Sequence, residues 1–143
     1  MSNNENKLRP FHLAFPVTDL EEARKWYTDI LGCSLGRESD KWIDFNMFGH
    51  QVVAHLVDDS DSIALNTVDG DNVPSRHFGV ILNPDDWKIL VKRLDRKGVD
   101  YLINPHTRFK GLPGEQSTLF ITDPSGNALE FKSFASDDSI FSK

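Results

Sequence analysis

Between Phe11 and Val17 the apolar residues Leu13, Phe15 and Val17 alternate with His12, Ala14 and Pro16. That period of two predicts a strand with one buried face. The rhythm then changes: Leu20, Ala23, Tyr27 and Leu31 recur at spacings of three and four, with Trp26 and Ile30 widening the stripe, as in an amphipathic helix. Thr18 or Asp19 can cap its start, Glu21 and Glu22 suit its first turn, and Gly32 is the expected stop. Three strands follow, Ser34–Glu38, Trp42–Phe48 and Gln51–Val57, the last two joined by a tight turn at Gly49–His50.

The same order returns after Arg76. His77–Leu82 reads as a short strand led by a histidine. Pro84 and Asp85 open a helix with Trp87, Leu90, Val91 and Leu94 on one stripe, closed by Gly98. Strands are predicted at Val99–Asn104, Ser117–Thr122 and Asn127–Ser133, with a turn at Asp123-Pro124-Ser125-Gly126 before the last. His12 and His77 stand 65 positions apart, each leading its half. The chain therefore divides into a first βαβββ module at 10–57, a linker at 58–75, a second module at 76–134, and tails at 1–9 and 135–143. The linker, rich in Asp, Ser, Asn and Gly, reads as a surface crossover. The fold class expected is α+β, with two βαβββ modules paired so that their helix-free faces form a cup for a ligand.

Charge narrows the possible partners. With 22 acidic against 16 basic residues the formal net charge is -6, opposite to the basic excess of a nucleic-acid surface. No apolar run reaches the length of a membrane span, and the polar start MSNNENKLRP lacks the apolar core of a secretory signal. The single cysteine, Cys33, rules out an internal disulfide and suits a reducing compartment. These features point to a cytoplasmic protein with a small-molecule partner.

Strand alternation gives the histidines a direction. If Leu13, Phe15 and Val17 face the helix, His12 faces the cup. In the last strand Leu129 and Phe131 share one face, and Ala128, Glu130 and Lys132 the other. A carboxylate in so apolar a strand is costly if buried without a partner, and a divalent cation is one such partner. His12, His77 and Glu130 are the candidate metal ligands, with His55 as a fourth. Two imidazoles and one carboxylate on one side of an ion are typical of non-haem Fe(II), while Mn, Zn, Ni or Co also accept the set.

The segments "HLAFPVTDLEEARKWYTDILG", "RHFGVIL" and "FITDPSGNALEFKSF" resemble the vicinal oxygen chelate superfamily of glyoxalases, extradiol dioxygenases, and fosfomycin and bleomycin resistance proteins. The resemblance covers Pro10 to Phe134. "WIDFNMFGHQVVAHL" also resembles a bacterial branch described as extradiol-type dioxygenases. It implies metal ligation by His12, His77 and Glu130, with Fe(II) favoured, and a homodimer, because family members often complete their cups by pairing. His55 falls where glyoxalase-like members carry a fourth ligand, so it is a ligand or an acid/base group. Phe120 stands where ring-cleaving members carry a Tyr, and Gly111, Leu112 and Pro113 span the range of their His. The implied activity is that of a metal-dependent dioxygenase; a glyoxalase-like lyase or isomerase and a non-catalytic drug-binding protein are the alternatives.

The segment from Arg108 through Gly111-Leu112-Pro113-Gly114 to Gln116 reads either as a plain connection or as a lid. As a lid it would use Arg108 to hold a substrate anion and Gln116 to add a hydrogen bond. His50 is expected in a solvated turn, His106 in a loop near the cup's mouth, and the tail beyond Phe134 as a frayed end.

Overall fold

The computed structural model describes residues 8–58, 65–68 and 70–142. β1 (His12–Val17) leads into α1 (Leu20–Asp29), followed by β2 (Ser34–Glu38), β3 (Trp42–Met47) and β4 (His50–Leu56). β5 (Leu65–Val68) and β6 (Asp71–Pro74) form a separate hairpin. β7 (Ile81–Leu82), α2 (Pro84–Arg96), β8 (Tyr101–Arg108), β9 (Gln116–Thr122) and β10 (Ala128–Ser133) complete the chain. The two large sheets run β1-β4-β3-β2 and β7-β10-β9-β8. In each, the first strand lies parallel to the last and the others pair antiparallel. The architecture is α+β, two βαβββ modules, as the repeated pattern predicts.

The helices form where the stripes indicate. Asp19 caps α1 by accepting from the Glu22 N–H at 2.9 Å, and Asn83 caps α2 by accepting from the Asp86 N–H at 2.8 Å. Both helices press on the faces carrying Phe15, Val17 and Phe45 in one module and Leu129 and Phe131 in the other, giving one continuous core. Tyr27 sits at its centre, its ring 4.9 Å from Phe45 and 5.2 Å from Phe15. Burying such a side chain fully contributes on the order of 2 kcal/mol.

Polar ties join the modules on this helix side. Asn127 donates to the Pro16 carbonyl at 2.7 Å, the Thr18 N–H donates to Ser125 Oγ at 3.0 Å, and the Arg93 guanidinium donates to the carbonyls of Asp29 and Ile30 at 2.9 Å each. Arg93 thereby satisfies free carbonyls at the C-terminal end of α1, where a cation is favoured.

Four boundaries depart from the sequence pattern. The β3–β4 turn is Phe48–Gly49, with His50 already in the strand; φ of 50° and 90° at the two turn residues suits the right-handed twist of a tight hairpin. The Phe48 ring meets Phe131 edge-on at 5.9 Å. β8 continues to Arg108, so Arg108 and His106 stand on a strand rather than a loop. Only Ile81–Leu82 of the predicted His77–Leu82 is regular strand, although Phe78 still bridges Leu129. The linker carries the β5–β6 hairpin, and Val73 and Pro74 are buried, so this part of it is no mere surface crossover. The tail makes one 3-10 turn at Asp137–Ser139.

Candidate functional site

β1 and β4 run in parallel register with His12 opposite Gln51 and Pro16 opposite His55. Residues in register share a face, so His12, Ala14, Pro16, Gln51, Val53 and His55 all lie on the helix-free side of the first sheet. Nδ1 of His12 is 2.7 Å from Oε1 of Gln51. An amide oxygen only accepts, so Nδ1 is the donor, and in the neutral ring Nε2 keeps its lone pair. The Gln51 amide nitrogen in turn donates to Asp44 at 3.4 Å.

The second sheet repeats this arrangement with a different partner. His77 precedes Phe78, which bridges Leu129, so Glu130 follows on the same helix-free side. Nδ1 of His77 donates to the Pro74 carbonyl at 2.7 Å, which in the neutral ring places the lone pair on Nε2. That nitrogen faces Oε2 of Glu130 at 3.7 Å, and the other carboxylate oxygen lies 3.7 Å from Nζ of Lys132. Both separations exceed hydrogen-bond length. Phe120, almost fully buried, sets its ring edge-on to His77 at 5.0 Å.

The two modules are therefore similar but unequal. One position beyond the Leu13–Val52 pair lies Val53; one beyond the Phe78–Leu129 pair lies Glu130. The apolar Val53 occupies the counterpart of the acidic position, and the repeat supplies two histidines and one carboxylate. His55 stands four positions along β4 from Gln51, roughly 13 Å at strand rise, so it is remote from His12. The structure brings His77 and Glu130 together. It leaves His12 apart from them: among the described residues no group of three or more His, Cys, Asp or Glu converges within one chain.

As to a metal, the donor chemistry of the gathered pair fits. A ring nitrogen made basic by an Nδ1–H to carbonyl bond, beside a carboxylate without a close partner, is how protein ligands are oriented toward a divalent ion. His12 is prepared in the same way on the other sheet.

Arg108 and Gln116 pair in register across β8 and β9. The Arg108 side chain is only 4% exposed: Nη1 donates to the Val68 carbonyl at 2.8 Å and Nη2 lies 2.9 Å from Asp71 Oδ2. Its guanidinium is thus turned toward the β5–β6 hairpin, with one hydrogen bond to it and an ion-pair contact in which the buried Nη2 finds no hydrogen-bond acceptor in line. Gln116 donates to the Gly114 carbonyl at 3.2 Å. His106 faces the same Asp71 carboxylate at 3.4 Å, and His50 accepts from the Phe11 N–H at 2.8 Å. A cavity of about 420 Å³ opens beside His77, walled by Leu13 to Pro16, Ser75 to Phe78 and Gly126 to Ala128. That is room for a small organic molecule. Gln51, Asp44 and Pro74 escaped the sequence reading; only the register partner of His12 could have pointed to the first.

The profile of the Glyoxalase/Bleomycin resistance protein/Dioxygenase superfamily matches residues 9–131. The chain belongs to that superfamily. Among solved structures it is similar to a glyoxalase/bleomycin resistance protein/dioxygenase from Alicyclobacillus acidocaldarius, at 35% identity and a TM-score of 0.80, covering 96% of this chain and 99% of that one. The fold is shared with the fosfomycin resistance protein FosX from Listeria monocytogenes complexed with Mn(II) and sulfate (15% identity, 90% and 91% covered, TM-score 0.66). It is shared also with lactoylglutathione lyase from Agrobacterium tumefaciens (16% identity, 89% and 94% covered, TM-score 0.64). No curated protein matches the chain at a significant level. No helix among the described residues is long and apolar enough to cross a membrane.

Proposed function

We propose that the chain is a metal-dependent enzyme acting on a small substrate bound through oxygen atoms, a dioxygenase of the extradiol-like branch working in the cytoplasm. The single observation that carries this reading is the matched pair of histidines. His12 opens β1 and His77 stands just before the Phe78 bridge ahead of β7; each points Nδ1 at an acceptor oxygen, and one faces a carboxylate across 3.7 Å. His77, Glu130 and His12 are the residues that would hold the ion. Because His12 stands apart from the other two within one chain, a second copy would deliver it, which makes a homodimer the working form.

A divalent ion bound there, Fe(II) in the favoured case, supplies Lewis-acid stabilisation of negative charge on substrate oxygens and, with iron, a site for dioxygen. The chain's own groups do the rest. Pro74 and Gln51 fix the two rings; Lys132, beside Glu130, adds positive charge at the rim; Leu13, Phe15 and Phe78 give the cavity next to His77 an apolar wall. Gln116 and the loop before it stand as the candidate cover.

A second reading, a glyoxalase-like lyase or isomerase, has one observation in its favour. Phe120 lies against His77 and has no hydroxyl with which to move a proton to a ring-cleavage product. Anaerobic purification with metal analysis, followed by oxygen uptake on catechols, hydroxyquinones and 2-oxo compounds, separates the readings. Oxygen consumption supports the dioxygenase; turnover without it supports the lyase. His12→Ala, His77→Ala and Glu130→Gln should each lose bound metal, and unchanged metal content in all three would end both readings. Tight ligand binding that survives chelation, without turnover, would instead mark a binding protein.

A further inference from the structure

The β5–β6 hairpin joins two observations that the metal-centre reading does not use. At one end of it, the buried Arg108 from β8 grips the Val68 carbonyl and the Asp71 carboxylate, which His106 also faces. At the other end, the Pro74 carbonyl holds the Nδ1 proton of His77. Val73 and Pro74 are buried between these points. We propose that Arg108 and Asp71 are positioning residues for His77: their ion pair clamps the hairpin onto the second sheet, and the clamped hairpin fixes the tautomer and direction of the His77 ring.

The physical case rests on what a hairpin needs. A two-stranded ribbon of four-residue strands is marginal by itself and takes its position from what it packs on. A guanidinium 4% exposed bonds the Val68 carbonyl on one side of the β5–β6 turn and lies 2.9 Å from the 36% exposed Asp71 carboxylate on the other, so the hydrogen bond from the buried side chain is the firmer of the two holds. Once it is released, the Pro74 carbonyl keeps only the packing of Val73 and Pro74 to hold it, and the imidazole exchanges its proton between nitrogens more readily. Protonation at Nε2 removes the lone pair that would meet an ion beside Glu130. Arg108 thus acts through Pro74 and His77 and does not touch a substrate. Relevance to metal affinity rests on the reading of His77 as a ligand; the effect on its tautomer does not.

The test is long-range proton–nitrogen NMR of the full chain without metal, at about pH 8 where a histidine ring is neutral, with His77 assigned from the missing signal in His77→Gln. The wild-type ring should be the Nδ1–H tautomer. Arg108→Met and Asp71→Ala should each move it toward a mixture, Arg108→Lys part of the way, and the surface variant Arg24→Ala not at all. Mn2+ titration of the same proteins should show affinity falling roughly 10- to 100-fold in Arg108→Met and Asp71→Ala. If Arg108→Met fails to fold, Asp71→Ala and Arg108→Lys carry the test. An unchanged His77 pattern in folded variants overturns the proposal, including the case where Arg108→Met alters only the binding of a small anion. If the tautomer shifts while the wild-type protein takes up no Mn2+, the positioning role stands and the metal-centre reading falls.

Discussion

The Tyr27 hydroxyl, at the centre of the core on α1, donates to the Asp123 carboxylate in the turn before β10 at 2.8 Å. One side chain from each module is thereby tied beneath the sheets. Asp123 also accepts from the N–H groups of Ser125 and Asn127 and from the Asn127 amide. Three other donors therefore remain when the phenol is removed. Tyr27→Phe should destabilise the fold by about 1.5–3 kcal/mol, the range for a bond to a charged group. Urea denaturation checks this, and Mn2+ affinity should stay at the wild-type value because both candidate ligand sets lie on the opposite faces.

Alkaline pH should weaken the protein. Burial pushes the Cys33 thiol up to about 12 from its ordinary 9.0, and burial followed by Asp123 pushes Tyr27 well above its ordinary range. Both groups are favoured neutral in the folded state, so their stabilisation is whole below about pH 9. It is lost as pH rises from there through the folded-state values. The urea midpoint should fall steadily between about pH 9 and pH 11, with a smaller slope in Cys33→Ala. Native Cys33 should resist iodoacetamide near pH 8 and react on unfolding; rapid native alkylation would contradict its burial.

Gly79 meets Glu130 too closely for any side chain. A Cβ there would lie 1.5 Å from the Glu130 carbonyl oxygen. Gly79→Ala must push the strand away from β10, breaking the bond from the Glu130 N–H to the Phe78 carbonyl at 2.9 Å. The expected cost is about 4 kcal/mol, at the upper end for single substitutions. Gly70→Ala, where a Cβ meets nothing but φ is +82°, should cost only about 1 kcal/mol. Thermal denaturation of the two variants gives the comparison.

His55 should prove dispensable for metal. Its place opposite Pro16, four positions from the partner of His12, puts it too far along the strand to share an ion with that ring. Metal content of His55→Ala should equal wild type, whereas His77→Ala should lose it. Lost metal in His55→Ala, with the fold intact by circular dichroism, would require a different ligand set.

The element order was legible because each signal is local. The stripe from Leu20 to Leu31 specifies a helix wherever it is placed, and alternation in Leu13, Phe15 and Val17 specifies which face of β1 is buried. The direction of Glu130 followed from Leu129 and Phe131 in the same way. Errors fell where the cause lies elsewhere in the chain. Phe48 takes a positive φ that its residue type disfavours because the two-residue turn between the paired β3 and β4 requires it. β8 runs on to Arg108 because β9 is there to pair with it.

By itself, then, the sequence determined two βαβββ modules and the faces on which His12, His77 and Glu130 stand, since period and capping act over a few residues. Tertiary structure alone decided that Gln51 and Pro74 meet the rings, that Val53 is the counterpart of Glu130, and that Arg108 reaches the hairpin. Those are contacts between segments far apart along the chain, set by strand register and packing, and no spacing of letters encodes a register until the strands have met.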